Sequence, residues 1–154
     1  MKAVSVKRDQ QGFTMIELIM VIVILGILAA FALPRFADLG VDARKASLNG
    51  AAAAMRSANA IAHSAQLAGG LAATASVTLE GATITMIGAY PTADANGIIS
   101  AAQISTGDYT VSAGGATAGA SVTVDVKGAT TAANCRITYT NAAATPVVVD
   151  DTDC

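Results

Sequence analysis

The stretch from Gln11 to Phe36, "QGFTMIELIMVIVILGILAAFALPRF", places a single carboxylate, Glu17, just ahead of a run in which every residue from Leu18 to Leu33 is apolar or glycine. Glu17 follows Gly12 by five residues and has no basic residue nearer than Arg8. As a helix, Phe13 to Leu33 rises roughly 31 Å at about 1.5 Å per residue, enough to cross a hydrocarbon layer of about 30 Å once. Lys2, Lys7 and Arg8 precede the run. Positive charge favours the cytoplasmic side, so whatever follows the span is expected outside.

Two ordinary explanations compete for this segment. A secretory signal peptide would use Ala30-Phe31-Ala32 as its small-x-small cleavage site. Its apolar region is normally shorter, about 7–15 residues, and Pro34 would fall second after the cut, an awkward position. A permanent single-span anchor would use Thr14-x-x-Glu17 as a capping box, the two side chains satisfying free amides at the helix start. That explains Glu17 locally but leaves the residues just before it unexplained.

Taken together, those residues, "KRDQQGFTMIELIMVIVILGILAAFALPRF" over 7–36, resemble the N-terminus of a type IV prepilin. A short basic leader ends in glycine, an aromatic residue follows, an acid comes five residues into the mature chain, and an unbroken apolar helix carries Gly26 and Pro34. "PRFADLGVDAR", "RSANAIAHS" and "CRITYT" further resemble the mannose-sensitive haemagglutinin type of pilin. The resemblance implies cleavage between Gly12 and Phe13 by a prepilin peptidase, N-methylation of the new Phe13 amine, and export by inner-membrane assembly machinery. It also implies local melting of the helix between Gly26 and Pro34 in a fibre.

Elementary electrostatics gives Glu17 a part in that scheme. A free Phe13 amine at the end of an apolar rod is a lone charge once such rods pack side by side, and a neighbour's carboxylate both neutralises it and sets the axial register. Pro34 removes one backbone hydrogen bond and crowds the preceding turn, so a kink is expected near 30–34.

Past Pro34 the pattern becomes amphipathic. Leu48, Ala51, Met55, Ala58, Ala62 and Ala65 recur every three or four residues and mark one apolar face. The pattern fades at Gly69-Gly70, a C-terminal stop. One helix from about Phe13 to Leu67 would run roughly 80 Å. Its N-terminal half must then protrude and be covered by a bilayer or by other copies.

From Leu71 the period shifts towards two. "ASVTLE", "ATITMI", "DYTVS", "ASVTVDV" and "CRITYT" read as strands, separated by "EG", "AGGATAG" and "KGATTAAN" as turns. An antiparallel sheet packed on the stripe between Leu48 and Ala65 gives an α+β fold, that of type IV pilins by resemblance. A short helix is expected near Ile98 to Gln103. The expected organisation is a leader over 1–12, a transmembrane or filament-core helix over 13–34, an amphipathic helix over 35–68 and a globular β domain over 69–154.

Cys135 and Cys154 are the only cysteines. In an exported domain they read as a disulfide, while metal ligation would have to recruit the distant His63 and makes a poor zinc site. Asp150, Asp151 and Asp153 read as a solvated terminal run, with calcium ligation as the alternative. His63 is the sole imidazole, and no nucleophile–base motif accompanies it, so no catalysis and no cofactor are expected. Nine basic and eleven acidic residues become six and ten once Lys2, Lys7, Arg8 and Asp9 leave with the leader. The resulting net charge of −4 argues against nucleic-acid binding.

With 53% apolar residues and a mean hydropathy of +0.55 concentrated in one segment, the chain reads as a structural subunit. It would be processed after Gly12, held in the inner membrane, and polymerised with copies of itself into a surface fibre for adhesion, with motility or DNA uptake as further uses. The alternative is a pseudopilin of a type II secretion system. A membrane-tethered monomeric binding domain would share the span but predicts neither cleavage nor polymer.

Overall fold

The computed structural model describes residues 12–143 and 145–154, without the side chains of 32–38. Residues 1–11 of the expected leader lie outside the described residues, and positions 30–34, where a kink is expected, fall within a stretch assigned as helix throughout. One helix, α1, covers Met15–Ala68. Two compact units divide the chain, one ending at Leu39 and one covering Gly40–Cys154.

In the first unit the helix starts at Thr14, whose side chain and amide engage Glu17. Leucine, isoleucine, methionine and alanine favour helix, and the β-branched residues among them are tolerated in a run with a single glycine, Gly26. Every described apolar side chain from Met15 to Phe31 is exposed within its own unit.

The second unit begins with the amphipathic part of α1. Leu48, Ala51, Ala52, Met55, Ala58 and Ala62 are buried, so the expected stripe is the packed face, with Ala65 at its half-buried edge. The helix ends in a reciprocal glycine cap: the Leu71 amide donates to Gln66 O at 3.2 Å, the Gly70 amide to Leu67 O at 3.1 Å, and Gly70 takes φ +58°.

Eight short strands follow among the described residues, all paired antiparallel. β1 (Val77–Leu79) and β2 (Ala82–Ile84) form one hairpin, and β3 (Met86–Ile87) and β4 (Tyr90–Pro91) a second. β5 (Tyr109–Val111), β6 (Ser121–Val126), β7 (Arg136–Thr140) and β8 (Val147–Asp150) form a four-stranded sheet in that order. Alternation sends Val122, Val124, Val126, Ile137, Tyr139 and Val147 inward, where they share a core with Leu48, Ala51, Ala52, Met55 and Ala58. The α+β arrangement expected from the sequence, a helix followed by antiparallel sheet, is the one observed.

The differences are local. "ATITMI" is two strands rather than one, because Thr85 leaves the ladder: its amide donates to Asn96 O at 3.0 Å and its carbonyl accepts from the Thr92 amide at 2.9 Å. The single expected sheet is therefore one four-stranded sheet and two hairpins. The expected short helix starts earlier, as a wide turn over Ala95–Ile99, because the Asp94 carboxylate accepts from the amides of Asn96 and Gly97 at 3.1 and 2.8 Å. β8 extends the sheet beyond the stretches read as strands.

A buried polar contact ties sheet to helix. The Tyr139 hydroxyl lies 3.0 Å from Asn59 Oδ1 and 2.9 Å from Pro91 O, sharing one proton between two acceptors. Burial, with the nearby Tyr90 adding to it, pushes the Tyr139 phenol well above its ordinary value. It therefore stays a donor at any ordinary pH.

Candidate assembly site

At the start of α1 the capping box is closed on both sides. The Thr14 amide and the Thr14 hydroxyl each donate to Glu17 Oε2 at 2.8 Å, and the Glu17 amide donates back to Thr14 Oγ1 at 3.3 Å. One carboxylate oxygen thus satisfies the helix start. The other, Oε1, makes no hydrogen bond among the described residues. Phe13 is 94% exposed beside it, and Gly12 is exposed as well.

Glu17 is the only charged side chain described between Gly12 and Phe31. Around it Ile16, Leu18, Ile19, Met20 and Val21 are each about half exposed or more, an apolar surface continuous around the helix. Soluble monomers rarely leave such a patch uncovered, so this one calls for lipid or other protein. Among the described residues no helix is long and apolar enough to cross a membrane. The described apolar side chains stop at Phe31, so Leu33 and Pro34, the end of the expected span, lie outside them. Gly26 is helical and has nothing within 4 Å of where a β-carbon would sit, so packing within its own unit does not require a glycine there.

In the second unit, Cys135 and Cys154 are joined by a disulfide, with Cα atoms 4.7 Å apart and both residues buried in the core. The last strand and the chain beyond it are thereby fixed to the start of β7. Arg44 Nε donates to Cys154 O, and the Asp153 amide donates to Asn134 O at 3.2 Å, so the loop is held by backbone contacts as well.

Several other titratable groups of this unit make structural contacts. His63 Nδ1 lies 2.7 Å from Ala89 O, and its ring stacks on Tyr90 with centroids 4.4 Å apart. Because a carbonyl only accepts, Nδ1 carries the proton, and the ring fastens the Gly88–Ala89 turn, whose two residues both take positive φ. Asp150 accepts from the Thr152 hydroxyl and amide at 2.7 and 3.2 Å, which holds its carboxyl below the usual range. Asp125 and Arg136 pair across β6 and β7 at 2.8 and 2.9 Å, and Arg136 is raised accordingly. Among the described residues no three acidic, cysteine or histidine side chains are grouped to hold a metal ion. Asp150 turns to Thr152 rather than to Asp151 or Asp153.

Sequence reasoning missed Asn59 and Gln66, both buried on the packed face of α1. Asn59 receives Tyr139, and Gln66 Nε2 donates to Ala72 O and Ala75 O at 2.8 Å each. Each stands four residues after a buried apolar position. A search for apolar periodicity passes over them, although their spacing was the available signal.

Comparison with known proteins places the N-terminal segment. The prokaryotic N-terminal methylation motif matches residues 7–33. A stretch of 52 residues, 34% of this chain, is 60% identical to the type IV narrow pilus major component PilA5 of Thermus thermophilus. The match spans 45% of that protein, less than half its length. No solved structure matches.

Proposed function

We propose that this chain, whose N-terminal segment is that of a type IV prepilin, is a non-enzymatic structural subunit of a type IV pilus. A prepilin peptidase removes residues 1–12 by cutting after Gly12, and the Phe13 amine is then methylated. Residues 13–34 hold the subunit in the inner membrane before assembly and form the filament core afterwards. Residues 35–68 carry the globular part, 69–154, to the outside. The finished fibre serves adhesion, with motility or DNA uptake as further uses.

The observation that carries this reading is an apolar helix whose described side chains from Met15 to Phe31 are all exposed, with one carboxylate, Glu17, next to an exposed Phe13. A neighbour's Phe13 amine fits the Glu17 oxygen left over by the cap, and each added subunit would satisfy one such pair. Gly26 and Pro34 supply the weak stretch in which the packed helix can locally open.

The test compares membrane-bound and sheared extracellular pools of the subunit, with mass spectrometry of the sheared N-terminus. A mature start at Phe13 is expected. A start at Leu33 would identify a signal peptide and end the pilin reading. Glu17→Gln keeps shape and cap but removes the charge, so it should be processed and inserted normally yet be nearly absent from the sheared pool. Fibres at wild-type levels from that variant would refute the charge-pairing role.

A further inference from the structure

The second unit holds a cleft of about 360 Å³ between α1, the β1–β2 hairpin and the end of the Ala95–Ile99 turn. Its floor is apolar, built from Ala58, Ile61, Leu79 and Ala101, and Ile61 is 54% exposed within it. Glu80 and Gln103 stand at its mouth, Gln103 Nε2 donating to Glu80 Oε2 at 2.7 Å. Both have left-handed backbone, φ +48° and +52°, a conformation that glycine or asparagine adopts more readily. Two locally unfavourable residues thus meet in one hydrogen bond at the edge of an apolar hollow. Glu80 has no cation there: the ion pair found among the described residues is Arg136 with Asp125.

The opposite flank of the same helix carries Arg56. At about 100° per residue, Arg56 points roughly 140–160° away from Ile61 and Ala58, and lies within about 8 Å of both along the axis. Lys45 falls within about 20° of Arg56 on that flank. Arg56 is exposed, and its one hydrogen bond among the described residues is a long one, Nη2 to Val147 O at 3.4 Å. An arginine laid along the hollow would rest its apolar stem on the floor and bring its planar fork to the carboxylate at the rim. On one molecule the two features face apart and cannot meet.

We infer that Arg56 of one copy enters the Ala58–Ile61–Leu79 cleft of the next and pairs with its Glu80. The contact is heterologous, joining different patches on opposite flanks, and such contacts propagate into filaments unless rotation closes a ring. It rests on the pilus reading and adds a second link to the Phe13–Glu17 pair, between globular parts instead of apolar rods. It also assigns the left-handed Glu80 and Gln103 a purpose, that of presenting an acid to a partner.

The test uses the full chain in its producing cells, with the sheared fibre pool as readout. Glu80→Arg and Arg56→Glu should each lower that pool at least about tenfold, since like charges then face across the contact. The double reversal should recover most of the loss. Neither single change touches the core, so melting of the extracted subunit should stay within a few degrees. If Arg56→Glu lowers melting through Val147, Glu80→Gln takes its place and should still weaken assembly. Single reversals that assemble like wild type, or a double reversal no better than its worse parent, overturn the contact and leave the pilus reading standing. A wild-type chain absent from any sheared fibre overturns both.

Discussion

Opening the Cys135–Cys154 bond should destabilise the second unit by about 3 kcal/mol and loosen it from one end. The bond joins residues with a sequence separation of 19. Closing a loop of about that length removes roughly 3 kcal/mol of chain entropy from the unfolded state, within the usual range of about 2–4. Alanine at both positions is the better perturbation, because serine would leave a buried hydroxyl costing about 1–3 kcal/mol of its own. For a unit of about this size, 1 kcal/mol moves the midpoint by roughly 4 °C or more, so a loss of about 10–20 °C is expected. The assay is thermal unfolding of the purified full chain in detergent, oxidised, reduced and as the double alanine variant. Hydrogen exchange adds the spatial claim: β8 is paired only with β7 and is anchored beyond by the bond. Val147 to Asp150 should therefore lose protection while β6 and the buried face of α1 keep theirs. A midpoint unmoved by reduction, or equal loss of protection in β6 and β8, would refute the reasoning.

Tyr139→Phe removes the donor shared by Asn59 and Pro91 and leaves both acceptors buried, so it should cost about 1–3 kcal/mol in denaturant unfolding. Gly114→Ala should be more damaging than its size implies, because a β-carbon there would run into the Ala93 carbonyl that pairs with the Gly115 amide; melting of the variant checks it. The Asp150 carboxyl is lowered first by the Thr152 hydroxyl and then by the Thr152 amide. A depressed folded value means the contribution is present above the ordinary carboxylate range and is lost as pH falls through the folded value. Thr152→Val should bring the titration of Asp150, followed by NMR, back up towards the usual range and flatten the acid limb of stability.

How much of this was legible in the sequence depends on the range of the interaction that decides each part. The helix could be read because its signals are local: Thr14 and Glu17 at capping spacing, a run without charge, Leu48 to Ala62 at helical period, then two glycines. Strands with strict alternation, such as "ASVTVDV" and "CRITYT", were equally plain. "ATITMI" was misjudged because Thr85 is drawn out of the ladder by Asn96 and Thr92, partners that no window around it contains. β8 offered only a short valine run after Pro146, and its strand state is imposed by pairing Val147 and Val149 with Tyr139 and Ile137. Asn59 and Gln66 sit at helical spacing on the packed face, which the sequence carries, but the partners that satisfy them come from the sheet and the loop after the helix, which their own sequence neighbours do not announce.

Two explanations of Glu17, a helix cap and an intersubunit partner, looked like rivals when read from residue types alone. The geometry makes them compatible. Oε2 takes both donors of Thr14, and this fixes the carboxylate at the end of the helix without using Oε1. A side chain held in one orientation loses less freedom on binding an amine, so the cap would prepare the acid for the proposed second contact. It follows that charge and orientation are separable. Glutamine at position 17 keeps the orientation and loses the charge, whereas valine at position 14 keeps the charge and loses the hydroxyl that orients it. If pairing with a neighbour's Phe13 amine is what Glu17 does, the first change should act on assembly far more strongly than the second. If capping is its whole purpose, both should act weakly and on the helix start alone. The apolar surface around Glu17 favours the first outcome, because a carboxylate that is covered together with that surface when rods pack needs a cationic partner.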